Sequence, residues 1–213
     1  EFLRSLGLFE KSPFEIIEAS GSTPLLPPEG RYSDLSAVTI SYGHGISTTA
    51  MHLAAGYAAI ANGGRAVKPT LLKQDGPQMG PRVMREDVAA ASRKMLRDVV
   101  AGEDGTASFG EVEGYFVAGK TGTSEKLRKG GGYYKNKNIN AFASMFPAHD
   151  PRYVLVVTMD EPVITSGDEP RRTAGWTAVP IAGEMIRRVA PLLGMRPAIE
   201  PAQVTGITLT SSN

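Results

Sequence analysis

Gly114-Tyr115-Phe116-Val117-Ala118-Gly119-Lys120-Thr121-Gly122-Thr123-Ser124 admits two incompatible readings, and the choice between them decides the fold. Gly114 to Thr121 fits the phosphate-loop pattern letter for letter. Such a loop needs a buried strand before its first glycine, a pliable turn with amides facing a phosphate, and a helix opening near the lysine. Gly110-Glu111-Val112-Glu113 makes a poor buried strand. Tyr115-Phe116-Val117 is aromatic and β-branched, and prefers extended backbone. Thr121 to Lys126 runs into glycines, where no helix starts. A P-loop nucleotidase is therefore the weaker reading, and residues 115–124 are expected to form one strand. Alternation places Lys120 on the face opposite Thr121 and Thr123, unless the strand twists or bulges. Gly122 removes a side chain where a substrate backbone would approach. A cation and two hydroxyls on an exposed strand make a rail for a carboxylate. Four residues alone are equally compatible with a surface strand whose polar groups are incidental.

Outward from that strand, periodicity sets the order of elements. Residues 49–62 show the clearest helical pattern: Met51, Ala54, Ala55, Ala58 and Ala61, with Thr48 or Thr49 as cap and Asn62-Gly63-Gly64 as stop. Its alanines and Gly56 imply close packing. His52 on this helix reads as a satisfied histidine, since no second histidine or carboxylate cluster supports a metal. A second helix is expected over 86–101, with Val88, Ala91, Met95, Leu96 and Val99 as its apolar stripe and Gly102 after it. Asn140–Phe146 and Tyr153–Met159 read as a hairpin turned by His149-Asp150-Pro151-Arg152. A last helix is expected over 176–193, with Ile181, Met185, Ile186 and Val189 inward. Residues 10–47 are rich in Pro, Ser and Gly and read as a long connection with short strands. Residues 65–74 read as a strand broken by Pro69. Antiparallel strands flanked by helices specify an α+β fold.

The 213 residues suit one domain with a tail, and 41% apolar with 21% charged residues is ordinary for a globular chain. A net charge of +1 gives no overall pull toward nucleic acid or membrane. Lys126, Arg128, Lys129, Lys135 and Lys137 cluster around three glycines and read as a solvated, mobile loop. The absence of cysteine excludes disulfides and cysteine metal sites. No apolar run approaches the ~20 residues of a membrane span, and no signal peptide opens the chain. Glu1 to Leu8 reads as the last turns of a helix ending at Gly7, so the chain is expected to open inside an element.

Lys120-Thr121-Gly122-Thr123 resembles the third motif of the penicillin-binding proteins and serine β-lactamases. The neighbourhood carries the likeness further. Gly105-Thr106-Ala107 follows a helix, and Val117-Ala118-Gly119 leads into the motif. Ser41-Tyr42-Gly43-His44-Gly45 and the alanine-rich helix resemble the stretch between the second and third motifs of class B enzymes, and Phe146-Pro147-Ala148 and Val154–Thr158 also fit. The resemblance covers roughly residues 1–195 and is closest to the septal, cell-division type of peptidoglycan D,D-transpeptidase. One departure is Thr49-Ala50, where relatives often carry Thr-Pro.

The resemblance implies an incomplete transpeptidase fold over 1–195 with a tail over 196–213. It implies a protein anchored at the periplasmic face of the inner membrane, working with cell-division membrane proteins and without a cofactor. The substrate would be the D-Ala-D-Ala end of a stem peptide, and β-lactams would compete for it. Lys120 would supply positive charge, the hydroxyls of Thr121 and Thr123 would hold the carboxylate beside Gly122, and the Thr123 amide would serve the oxyanion. Losing one such donor costs about 3 kcal/mol of transition-state stabilisation. The family's nucleophile is the serine of Ser-x-x-Lys, and no serine here stands three residues before a lysine. Ser211-Ser212-Asn213 spells the family's Ser-x-Asn motif, but after Lys120 instead of before it, and reads as coincidence. The two upstream motifs are therefore expected to precede Glu1. A non-catalytic module that binds peptide carboxylates or a cell-wall partner is the alternative. Removing a central helix would expose apolar surface, so self-association is also expected.

Residues 1–213 alone are expected to form no acyl adduct with penicillin. Intact mass spectrometry after incubation with a β-lactam checks this, and a stoichiometric adduct on any serine overturns it.

Overall fold

The sheet that carries the fold has three antiparallel strands in the order β3 (Ala118–Leu127), β4 (Tyr133–Phe146) and β5 (Tyr153–Asp160). The computed structural model describes residues 2–13, 15–16, 23–27, 33–76 and 78–198. Within them lie helices α1 (Phe2–Ser5), α2 (Asp34–Ser41), α3 (Ala50–Ala61), α4 (Glu86–Ala101) and α5 (Ala178–Leu192), and a small ribbon of β1 (Arg65–Val67) with β2 (Met79–Arg82). The fold is α+β, as the antiparallel pattern specified.

Parity along the strands sorts the core into two halves. Phe142, Leu155, Val157 and Met159 share one sheet face and pack with Val179, Ala182, Ile186 and Ala190 of α5. Ala118, Met145 and Val154 share the other face and meet Tyr57, Ile60 and Ala61 of α3 and Leu96 of α4. Phe142, Met145 and Ile186 are fully buried, and each such side chain contributes about 1.5–3 kcal/mol. One face thus looks to α5 and the other to α3 and α4, and β3 lies at the edge between them.

Several sequence expectations give way to tertiary constraints. Residues 115–117 are not strand: Phe116 adopts φ 46°, in the left-handed region, and ends the extended run before Ala118. The Phe116 carbonyl accepts from the Ala148 N–H at 2.8 Å, and the Val117 carbonyl accepts from Arg97 at 2.8 Å. The basic glycine-rich segment is not mainly loop, because pairing extends to Leu127↔Tyr133 and only residues 128–132 turn. Lys126 bonds Asp160 at 2.9 Å and Glu161 at 3.0 Å, fastening that ribbon across the sheet. Hydrogen bonds from Lys126 and Lys137 hold the Glu161 carboxyl below its ordinary range. The connection over 10–47 contains α2, opened by a Ser33–Ser36 capping box, which composition concealed.

Two helices also turn differently from their apolar stripes. On α4, Val88 and Met95 are 46% and 61% exposed while Ala89 and Val100 are buried. The inner side carries Arg93, which donates to the Ile60 carbonyl at 3.2 Å, and Arg97, which pairs with Glu111. Paired arginines sit inward here, and hydropathy alone ranks them outward. On α5, Ile186 is inward as expected, but Ile181, Met185 and Val189 are about two-fifths exposed. The small residues Ala178, Ala182, Gly183 and Ala190 face in because the chain at Phe109–Gly110 approaches closely. A side chain at 183 would stand 3.1 Å from the Phe109 carbonyl.

Gly119 is required by the core. A Cβ there would lie 2.7 Å from the Phe142 ring and 2.6 Å from the Ala143 carbonyl. At Gly122 the nearest atom to such a Cβ is 3.9 Å away. Gly119→Ala is expected to cost about 1–3 kcal/mol through overpacking, and Gly122→Ala no more than about 0.5 kcal/mol. Urea denaturation of the two variants checks the contrast.

Candidate functional site

No strand lies beyond β3 among the described residues, so its outer edge is open. Register runs without a break from Ala118↔Met145 to Glu125↔Asn138, so the motif contains no bulge. Lys120 therefore stands on the α3 side of the sheet, and Thr121 and Thr123 stand on the α5 side. They converge because the lysine curls around the open edge. Its Nζ donates to the Thr121 carbonyl at 3.0 Å and to Thr121 Oγ1 at 3.2 Å. The Thr121 carbonyl thus faces the open side. Thr123, two residues on, repeats that orientation and offers its own N–H there, as antiparallel edge geometry requires.

The two hydroxyls have partners from outside the strand. Thr121 Oγ1 lies 3.1 Å from Thr106 Oγ1, in the loop after α4. Thr123 Oγ1 accepts from the backbone N–H of buried Ala174 at 3.0 Å. That turn is pinned from below by Asn140 of β4, which is fully buried. Asn140 Nδ2 donates to the Arg172 carbonyl and to Thr177 Oγ1, each at 2.7 Å. Thr177 Oγ1 in turn donates to the Thr173 carbonyl at 3.0 Å. The loop opposite β3 is therefore held by core hydrogen bonds.

Between β3 and this turn lies an open recess lined by Thr106, Phe109, Thr121, Thr123, Thr173 and Trp176. The rings of Phe109 and Trp176 lie 5.0 Å apart, and the Arg171 guanidinium sits 3.9 Å above Trp176. Hydroxyls and an edge amide at this recess, with the Lys120 ammonium bonded to one hydroxyl, suit a small carboxylate beside an extended peptide.

The sequence singled out Lys120, Thr121, Gly122 and Thr123, and all four line this edge. It did not single out Asn140, Thr173, Ala174 or Trp176 for the site. Only Asn140 left a signal, as a polar residue opening the mostly apolar run at residues 141–146. The competing phosphate-loop geometry is not present: residues 113–115 form a turn, Tyr115, Phe116 and Val117 are buried, and Lys120 continues into strand. His52 is satisfied, as read. Its Nε2 bonds the Glu10 carbonyl at 2.7 Å, and its Nδ1 meets the Thr49 N–H at 3.3 Å and the Thr49 hydroxyl at 2.8 Å. Ser211-Ser212-Asn213 lies outside the described residues.

Residues 2–186 match the penicillin binding protein transpeptidase domain. The chain is 32% identical over 208 residues to a probable peptidoglycan D,D-transpeptidase FtsI of Caulobacter vibrioides, spanning 92% of this chain and 34% of that one. It is 31% identical over 209 residues to stage V sporulation protein D of Bacillus subtilis, spanning 92% and 31%. Among solved structures, the apo transpeptidase domain of Burkholderia pseudomallei penicillin-binding protein 3 superposes with a TM-score of 0.82 at 31% identity, over 93% of this chain and 58% of that one. Penicillin-binding protein 3 of Mycobacterium tuberculosis, complexed with ampicillin, gives 0.80 at 28% identity, over 94% and 47%. The chain spans about a third of the length of these curated relatives.

Thr123→Val leaves the buried Ala174 N–H without its acceptor and is expected to cost about 1–3 kcal/mol. Thr123→Ser is expected to retain the bond. Hydrogen exchange at Ala174, together with thermal melts, checks both.

Proposed function

The chain belongs to the penicillin-binding-protein transpeptidase family, and from that premise we propose that it is the C-terminal part of the transpeptidase domain of a peptidoglycan D,D-transpeptidase. Residues 1–195 would form that part and residues 196–213 a tail. The observation that carries the proposal is the meeting of Lys120 with the Thr121 hydroxyl at the open edge of β3, beside Thr123.

In this reading the stem peptide lies antiparallel along β3 as an added strand. The hydroxyls of Thr121 and Thr123 hold its terminal carboxylate, and Lys120 places an ammonium beside them. A serine from a Ser-x-x-Lys motif attacks the carbonyl of the penultimate D-alanine. The Ser Oγ–C bond forms, the amide C–N bond breaks, and D-alanine leaves with a proton. The Thr123 N–H donates to the developing oxyanion, together with the serine's own N–H. An amine of a second peptide then forms the new C–N bond, the Ser Oγ–C bond breaks, and the proton lost by the amine returns to the serine oxygen. A β-lactam follows the first half and stops at the acyl-enzyme.

The likeness to a probable peptidoglycan D,D-transpeptidase FtsI, with the septal-type resemblance of the sequence, supports a role in septal wall synthesis. The same likeness supports a place at the periplasmic face of the inner membrane, held by an anchor and working with cell-division membrane proteins. No described helix is long and apolar enough to cross a membrane.

The test uses the full-length gene product. Incubation with ampicillin is expected to give one acyl adduct, mapped by peptide mass spectrometry to the serine of a Ser-x-x-Lys motif. Lys120→Ala is expected to slow acylation by on the order of 10²-fold or more, as for loss of a proton-transfer or charge-stabilising group. A full-length protein that forms no adduct overturns the proposal.

A further inference from the structure

Thr106 comes from outside the strand yet touches it at the carboxylate-facing hydroxyl. Its Oγ1 lies 3.1 Å from Thr121 Oγ1. A threonine hydroxyl has one proton and two lone pairs. On Thr121, one lone pair is taken by the Lys120 ammonium at 3.2 Å. On Thr123, a lone pair is taken by the Ala174 N–H at 3.0 Å. An ammonium and a backbone amide only donate, so neither competes for a threonine proton. Thr106 Oγ1 is the further partner of Thr121 Oγ1, and either hydroxyl can donate in that contact.

We propose that Thr106 is a positioning residue: by donating to the second lone pair of Thr121 Oγ1, it turns the Thr121 O–H outward toward an anionic substrate terminus. With both lone pairs engaged, the Thr121 proton has no partner inside the site and points into the recess. On Thr123 the Ala174 N–H occupies one lone pair, which leaves the proton and the second lone pair available to a ligand. Two converging O–H donors are what a carboxylate, which only accepts, requires.

The loop is built to hold Thr106 still. The Gly105 N–H donates to the Gly102 carbonyl at 3.0 Å, and the Ala107 N–H donates to the Val99 carbonyl at 3.1 Å. A Cβ at Gly105 would stand 2.3 Å from that Val99 carbonyl. Across the recess, a Cβ at Gly175 would stand 2.8 Å from the Thr106 carbonyl. The Thr106 backbone thus lies between the end of α4 and the turn that bears Ala174, with the residue itself exposed. Its backbone place does not depend on its hydroxyl, which is free for orientation.

This inference rests on the transpeptidase reading, and its test separates the two. The full-length protein is acylated with one β-lactam in two forms, the free acid and its methyl ester, which has no anion to receive the hydroxyls. The readout is the acid-to-ester ratio of the second-order acylation rate constants. Thr106→Val is expected to lower that ratio about fivefold, the worth of one ordinary hydrogen bond. Thr106→Ser is expected to keep it within about twofold of the parent, because the hydroxyl returns. Thr106→Ala, which avoids the branched replacement, is expected to match Thr106→Val. A ratio that Thr106→Val and Thr106→Ala leave unmoved overturns the inference. So does a ratio that Thr106→Ser lowers equally, since that marks a loop defect and no role for the hydroxyl. A parent protein that forms no adduct with the acid overturns the transpeptidase reading, and this inference with it.

Discussion

Everything at the site depends on β3 having one paired edge and one open edge. Pleat parity sends Lys120 to the α3 side and both threonines to the α5 side. In the middle of a sheet these groups could not meet, because the neighbouring strand would fill the space between the faces. At an edge the lysine stem bends around the strand, and its ammonium reaches the neighbouring threonine. The same edge leaves backbone N–H and C=O groups free to pair with an extended ligand. An aggregation hazard in most proteins is here the feature that a peptide can use.

The edge is kept in place from both sides by different means. On the α5 side the contact is apolar and close. Gly119 lets the Phe142 ring lie against the strand, and small residues let α5 approach. On the α4 side it is polar. Arg97 donates to the Val117 carbonyl and pairs with Glu111, so a part-buried charge is matched and its hydrogen bonds fix the approach to Ala118. The pair acts as a positional constraint more than as a source of net stability. The opposite wall of the recess is tied to the core by Asn140, whose amide reaches the 172–177 turn. Core packing and site geometry are therefore one network.

The hydroxyls at this edge have neighbours that constrain their direction. Hydroxyls alone are ambiguous, because each can donate or accept. The Lys120 ammonium and the Ala174 amide remove part of that ambiguity by occupying acceptor sites on Thr121 and Thr123. Such preorganisation is what lets a site favour a charged ligand without reorganising when it arrives. The aromatic pair Phe109 and Trp176 lines part of the recess.

Local chemistry was legible in the residues themselves. Lys120-Thr121-Gly122-Thr123 in a β-prone stretch marked an extended strand bearing a cation and two hydroxyls, and the helices at 50–61 and 86–101 followed from periodicity and caps. The hairpin of β4 and β5 followed from alternation and its turn. Which helix face turns inward did not follow, because paired arginines on α4 and small residues on α5 outcompete the larger apolar side chains once neighbours are near. The end of the strand at Phe116 did not follow either, since its φ of 46° is held by contacts distant in sequence. Nor did the partners of the site hydroxyls: Thr106 lies 15 positions and Ala174 lies 51 positions from the threonines they meet. Propensity and period act over a few residues, and so the sequence by itself determined the strand and its donor groups. Contacts across such separations exist only after the sheet closes, and so the tertiary structure alone decided where those donors point.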